Sequence, residues 1–296
     1  MGAMHADELA IDAALVARLL AAQFPRWADL TIERVEPSGT DNAIYRLGAD
    51  MAVRLPRQRS SGDVPAEEFR WLPMLAPQLP LAIPEPIALG EPAEGYPCQW
   101  LICRWLDGEN ATLERIADPA QAASDLAGFI AALQAVDPTG GPAPDGRGGP
   151  LAPRDEWTRD SIAVLADEID VALVTTAWET ALEAPEWSGT PVWVHGDLDA
   201  RNMLIEHGRL SAVLDFATMA VGDPASDVMV AWKMLPAEHR DTFRAALGVD
   251  DATWARARGW ALSQALMILS YYTTETNPTL VLEGRRWMRE LFDNPN

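Results

Sequence analysis

The stretch Val194-His195-Gly196-Asp197-Leu198-Asp199-Ala200-Arg201-Asn202-Met203-Leu204-Ile205, followed by Leu214-Asp215-Phe216, decides how this sequence is read. Two short apolar runs, Val192-Trp193-Val194 and Ala212-Val213-Leu214, flank it and read as strands. Asp197 and Asn202 stand five apart, a spacing that fits one tight loop with the first aimed at an acceptor and the second at a metal. Asp215 follows thirteen residues past Asn202. Phosphoryl transfer needs such a set. A carboxylate must accept or orient the proton of an attacking hydroxyl. Oxygen ligands must hold Mg²⁺ against a triphosphate, because the metal offsets charge on the transferring group. Asp197 suits the first role, and Asn202 with Asp215 the second. Each residue alone is equally well explained by a turn or a cap, where Asp and Asn abound. Their order and spacing together point to the chemistry.

Outward from this segment the chain divides near residue 105. On the N-terminal side, Leu15, Val16, Leu19 and Leu20 recur at helical spacing behind Asp12, a candidate N-cap. Short β-like runs follow at 30–35, 43–47 and 51–55, joined by Glu36-Pro37-Ser38-Gly39-Thr40-Asp41-Asn42 and by Gly48-Ala49-Asp50, both read as hairpin turns. Pro65 is placed to open a helix through Glu67, Glu68 and Trp71, which Pro73 disturbs or ends. Further strands are expected near 87–89 and 99–103. The pattern predicts a small antiparallel sheet with a helix packed on it. Beyond Asp107-Gly108 the character is helical. Leu126, Phe129, Ile130 and Leu133 form an apolar stripe, 137–153 reads as a mobile Pro/Gly-rich loop, and 159–184 reads as one helix. Helices fill 225–292, with breaks near Pro236, Gly248 and Pro278.

The 296 residues carry 44 acids against 23 bases, a net charge of −21. This disfavours nucleic acid and anionic membrane surfaces as partners and permits a cationic substrate. Residues 107–296 hold most of the excess, with 30 acids against 14 bases. Lys233 is the only lysine, so a cation role elsewhere falls to arginine. No apolar run reaches the ~20 residues of a membrane span, and the start does not read as a signal peptide. Cys98 and Cys103, five apart on one strand-like run, would point to opposite faces about 16 Å apart, too far for a disulfide. A reduced, cytoplasmic protein is expected. The four histidines show no metal-ligand spacing.

His195-Gly196-Asp197 with Asn202, then Asp215-Phe216, then Gly222-Asp223-Pro224 and Asp227, resembles the signature of the aminoglycoside phosphotransferase family, antibiotic kinases with a protein-kinase-like fold. The resemblance implies a two-lobed α+β protein: a small antiparallel-sheet lobe over 1–106, a hinge at about 103–108, and a large helical lobe over 107–296. It implies ATP or GTP, Mg²⁺ and a small hydroxyl-bearing acceptor. Asp197 matches the catalytic base, and Asn202 and Asp215 the metal ligands. His195 matches a position that buttresses the loop, and Asp223 and Asp227 match positions that cap and anchor a helix. Ser38-Gly39-Thr40 matches the nucleotide loop, although one glycine in a turn is by itself a hairpin feature. In the hinge, Cys103 matches the gatekeeper, and the Arg104 carbonyl and Leu106 amide the groups that face the purine.

Two positions depart from the family pattern. Val53-Arg54-Leu55 carries arginine where a lysine usually holds the nucleotide phosphates, a feature shared with macrolide phosphotransferases. Glu68 best matches the acidic partner of that cation, with Glu67 as competitor. Asp199 stands where protein kinases often place a cation that helps the γ-phosphate. That help would then come from Mg²⁺ and Arg54. Asp199 either meets an ammonium group on the acceptor or pairs with Arg201. The expected function is transfer of the γ-phosphoryl to a hydroxyl of an antibiotic such as an aminoglycoside or a macrolide. A kinase of an amino alcohol or sugar would use the same motif, and a non-catalytic nucleotide-binding protein is the alternative from another class. The tryptophans of the C-terminal region are expected in the core more than around an acceptor.

Overall fold

The computed structural model describes residues 8–35 and 41–293. The chain forms two compact units, Met1–Asp107 and Gly108–Asn296. The first is built on a five-stranded antiparallel sheet in the order β1-β2-β3-β5-β4. Its strands are β1 (Ile32–Arg34), β2 (Asn42–Leu47), β3 (Met51–Pro56), β4 (Pro86–Gly90) and β5 (Trp100–Arg104). Helix α1 (Ala13–Gln23) starts where the Asp12 carboxylate accepts the Leu15 amide at 2.7 Å, and α2 spans Val64–Leu75. Alternation along β3 sorts its side chains. Met51, Val53 and Leu55 join Leu15, Val16, Leu19 and Leu20 of α1 in one apolar cluster with Trp100 and Ile102 of β5. The alternate residue Arg54 pairs with Glu68 of α2. Because β3 is central, all six of its residues are buried.

Pro73 lies inside α2 and does not end it. A proline in a helix interior costs about 3 kcal/mol. Leu72 and Leu75 on either side of it are completely buried, and their packing offsets that cost. Cys98 and Cys103 are buried free thiols. Burial pushes the Cys103 thiol up to about 12, so it stays protonated and unreactive.

The second unit is mainly helical. Its helices are α3 (Pro119–Ala135), α4 (Asp155–Val164), α5 (Val171–Glu183), α6 (Ala225–Val228), α7 (Val230–Met234), α8 (Ala237–Leu247), α9 (Asp251–Tyr271) and α10 (Pro278–Phe292). Two small antiparallel sheets carry the site: β6 (Glu109–Asn110), β8 (Met203–Glu206) and β9 (Arg209–Val213) in the order β6-β8-β9, and β7 (Val192–Val194) with β10 (Ala220–Gly222). Helix α9 runs through the middle of the unit, buried over most of its length. Trp178, Trp193, Trp232, Trp260 and Trp287 are completely buried, so these tryptophans are core.

The expected single helix over 159–184 is two. Asp170 accepts the Leu173 amide at 3.0 Å and starts α5 as a new N-cap. The Pro/Gly-rich segment 137–153 is irregular but tied down. The Val221 amide donates to the Pro142 carbonyl at 2.8 Å, and the Asp223 amide to that of Gly148 at 2.7 Å. Gly222 permits this approach, since a Cβ there would lie 2.1 Å from the Gly148 carbonyl oxygen. Among the described residues no helix is long and apolar enough to cross a membrane.

Candidate active site

Strand β7 ends at Val194, and the next two residues are pinned by one buried side chain. Asp227 of α6 accepts the His195 amide at 2.8 Å and the Gly196 amide at 2.7 Å. Burial holds the Asp227 carboxyl above the usual carboxylate range, although the two amides pull it down. Gly196 has φ +82°, and a Cβ there would sit 2.8 Å from the Thr218 carbonyl and 2.9 Å from Arg147. Only glycine suits both the dihedral and the space. His195 is fully buried. Its Nδ1 accepts the Asp197 amide at 3.1 Å, which fixes the tautomer so that Nε2–H donates to the Leu214 carbonyl at 2.9 Å. The imidazole thus joins the residue before Asp215 to the loop of Asp197.

Asp197, Asn202 and Asp215 come together as the sequence spacing indicates. The Asn202 side-chain amide donates to the Asp197 carbonyl at 2.9 Å and to its carboxylate at 3.2 Å. The Leu214 amide donates to the Asn202 carbonyl at 2.7 Å, bringing Asp215 next to the loop. Asp215 has φ +60°, a left-handed conformation that aspartate tolerates and that recurs at functional sites. The Asp197 side chain is about a quarter exposed. Its Oδ1 meets Arg147 Nη1 at 3.0 Å and Lys233 Nζ at 3.5 Å. Burial opposes its ionisation, but Lys233, Arg147 and Arg201 outweigh it and hold the carboxyl well below the usual carboxylate range. Asp199 is nearly inaccessible and binds Arg201 through the backbone amide at 2.9 Å and through the guanidinium. The expected pairing of Asp199 with Arg201 is present, and Lys233 Nζ lies 3.4 Å from Asp199 Oδ2.

The donor set can take a magnesium ion. Asn202 commits its NH₂ to Asp197, which leaves the amide oxygen as the ligand atom, and Asp215 supplies a carboxylate from the residue after Leu214, whose amide donates to the Asn202 carbonyl. Two oxygen donors suit an ion that keeps waters and substrate phosphates as its remaining ligands. Among the described residues no group of three or more His, Cys, Asp or Glu is placed to hold a metal.

In the first unit, Arg54 Nη1 lies 3.1 Å from both carboxylate oxygens of Glu68, with both side chains buried. Glu67 instead accepts the Trp71 indole N–H at 2.9 Å on the surface. Cys103 is buried in β5 opposite Ala52. Arg104 closes β5, where its amide donates to the Glu85 carbonyl at 2.9 Å, and Leu106 follows. Ser38, Gly39 and Thr40 lie outside the described residues.

The model of the phosphotransferase enzyme family matches residues 31–260. The chain belongs to this family. Among solved structures, the GDP complex of wild-type aminoglycoside 2'-phosphotransferase-IIIa is 19% identical, with a TM-score of 0.74 over 97% of this chain and 100% of that one. Macrolide 2'-phosphotransferase MphH from Brachybacterium faecium, an apoenzyme, is 26% identical, with a TM-score of 0.59 over 92% and 98%. The gentamicin complex of APH(2")-IIa is 19% identical, with a TM-score of 0.63 over 94% and 97%. The fold is therefore that of the kinase-like phosphotransferases. No curated protein matches the sequence.

Sequence reasoning did not find two cations of this phosphotransferase. Arg147 comes from the segment read as a mobile loop, and its Nη1 also donates to the Gly196 carbonyl at 2.6 Å. Lys233, the sole lysine, carries no local motif that links it to Asp197. Asp223 accepts the Ala225 amide at 2.9 Å at the start of α6 and makes a buried fork with Arg256, Nε to Oδ2 at 2.7 Å and Nη2 to Oδ1 at 3.1 Å.

Proposed function

We propose that this phosphotransferase moves the γ-phosphoryl of ATP or GTP to a hydroxyl of a small cationic antibiotic of the aminoglycoside or macrolide type, in the cytoplasm. The observation that carries this reading is the Asp197 carboxylate held by Asn202 with Asp215 alongside, in a chain of the phosphotransferase family. The acidic balance of residues 107–296 supports a cationic acceptor and speaks against nucleic acid or an anionic membrane as partner.

In the reaction, the acceptor hydroxyl donates to Asp197, and its oxygen attacks the γ-phosphorus in line. The new O–P bond forms as the bond to the β-phosphate bridging oxygen breaks, and the hydroxyl proton ends on the Asp197 carboxylate. A carboxylate held so far below its ordinary range is a weak base. Asp197 therefore acts first by orienting the hydroxyl and takes the proton late, as its acidity rises with bonding to phosphorus. Mg²⁺, when bound by Asn202 and Asp215, offsets charge on the phosphates. His195, Asp223 and Asp227 are structural supports of this machinery. Asp199, bound to Arg201, is not assigned to the acceptor.

On the nucleotide side, Arg54 with Glu68 grips the phosphates, together with Ser38, Gly39 and Thr40, while Cys103, Arg104 and Leu106 line the purine. Arg54→Ala should raise the nucleotide KM and lower turnover together, since one grip serves ground state and transition state. Arg54→Lys should be milder but not silent, because a point charge replaces a planar fork. Glu68→Ala should act in the same direction, while Glu67→Ala should do little. A double-mutant cycle on Arg54 and Glu68 should give a coupling of about 0.5–3 kcal/mol. Wild-type nucleotide affinity in Arg54→Ala would remove this arginine from the phosphate site.

The function itself is tested by nucleotide turnover with ATP and with GTP against aminoglycosides, macrolides, amino alcohols and sugars. Turnover with an antibiotic at micromolar KM is the expected result. Turnover only with a metabolite would make the protein a metabolic kinase. Nucleotide binding without any turnover would make it a binding protein.

A further inference from the structure

The lone lysine of the chain sits at the back of the candidate catalytic loop. Lys233, on α7, has no solvent exposure. Its Nζ lies 3.4 Å from Asp199 Oδ2, 3.5 Å from Asp197 Oδ1 and 3.2 Å from Gln264 Oε1 of α9. The Asp197 and Gln264 oxygens accept hydrogen bonds from the ammonium, and Asp199 meets it as an ion pair. The indole of Trp287 on α10 closes a further side, 4.7 Å from Nζ to the ring centre. The Lys233 main chain is held as well, since Arg286 donates to its carbonyl. Gln264 is itself oriented by the contact of its NH₂ with Met229 Sδ at 2.9 Å. This cation is fixed by α7, α9 and α10 and is closed off from solvent.

What it serves follows from how its two carboxylates are otherwise supplied. Asp199 already receives the Arg201 amide, Nε and Nη2. Arg201 is the cation bonded to it, and Lys233 is its second. Asp197 Oδ1 has one other cation, Arg147, which comes from an irregular segment and is partly exposed. Lys233 is the contact to Asp197 that is rigidly built into the helical core.

We propose that Lys233 is a positioning residue for phosphoryl transfer. It fixes the Asp197 carboxylate by its Oδ1 so that the group faces the acceptor hydroxyl in one orientation, and Asp199 with Gln264 aims the ammonium for that task. The loop carries an acid two residues past Asp197, and a cation from a helix thirty-six residues downstream takes up the resulting place beside the carboxylate. The proposal rests on the reading of Asp197 given above.

The test compares Lys233→Met, Asp199→Asn, the double variant Lys233→Met/Asp199→Asn, and Asp197→Asn. Turnover is followed with an acceptor found in the panel and, separately, with water as acceptor in nucleotide hydrolysis. Melting temperature and calorimetric nucleotide affinity are measured on each. A misoriented catalytic group costs about 10²-fold in rate. Lys233→Met should therefore lower kcat by about that factor. The KM for nucleotide and for acceptor should stay within about twofold. Removing Asp199 as well relieves its buried charge, so the double variant should regain the wild-type melting temperature but not the wild-type kcat. It also carries the test if Lys233→Met alone does not fold. A double variant with wild-type melting temperature and wild-type kcat would overturn the proposal and leave Lys233 as a charge balance for Asp199. Asp197→Asn at wild-type turnover would overturn the reading of Asp197 and the proposal with it, whereas an inactive Asp197→Asn beside a fully active double variant would overturn the proposal alone.

Discussion

Replacing Asp197 by alanine or asparagine is expected to lower turnover by roughly 10²–10⁴-fold, the range for losing a positioned general base. Nucleotide affinity should stay almost unchanged. The physical case lies in what the carboxylate touches. Its main chain is fixed by His195 and Asn202, and its Oδ1 is held by Arg147 and Lys233. Asparagine keeps the volume and an oxygen for Asn202, so the loop should persist. What is lost is the charge that orients the acceptor hydroxyl and receives its proton. Isothermal titration with each nucleotide beside a steady-state assay separates the two effects. Turnover within tenfold of wild type would take Asp197 out of the mechanism, and an equal loss of nucleotide binding would show that the loop had collapsed.

The largest effect on stability is expected at a residue that has no part in the chemistry. Arg256→Met should destabilise the protein by about 3–5 kcal/mol, because it strips the cation from a buried carboxylate. Arg256 and Asp223 are both almost inaccessible and bonded through a two-pronged fork. The guanidinium also donates to the Pro185 carbonyl at 2.6 Å and to Thr253 Oγ1 at 3.0 Å. Methionine fills much of the volume but supplies none of these donors. For a unit of this size the loss corresponds to a fall in melting temperature on the order of 10 °C. The double variant Arg256→Met/Asp223→Asn should recover part of it, since the unpaired charge goes with the pair. A single variant that melts within about 2 °C of wild type would mean that Asp223 finds water or another donor.

The parts of this protein legible from sequence are those whose partners are close along the chain. Asp12 caps its own helix three residues on, and Asp197, Asn202 and Asp215 are joined within one loop and one hairpin. Glu68 over Glu67 as the partner of Arg54 follows from the family resemblance and not from any local pattern, and the two side chains do pair. What stayed hidden depends on distant packing. Arg147 and Lys233 reach Asp197 across 50 and 36 residues of sequence, and no local periodicity encodes either contact. Proline and glycine rightly marked 137–153 as irregular, but irregular backbone is not free backbone when β10 offers it partners. Pro73 and Asp170 show the same limit from both sides. Burial of Leu72 and Leu75 carries a helix past a proline, and one carboxylate starts a second helix inside an apolar run.

The burial of Lys233 also determines how the folded protein meets acylating reagents. No other side chain in the sequence carries a primary amine, and this one is sealed between two aspartates, a glutamine and an indole. Active esters, aldehydes and anhydrides therefore find no exposed lysine amine on the native molecule. Acylation at position 233 requires the packing of α7 against α9 and α10 to open, so its rate is a clock for that opening, read at a single atom.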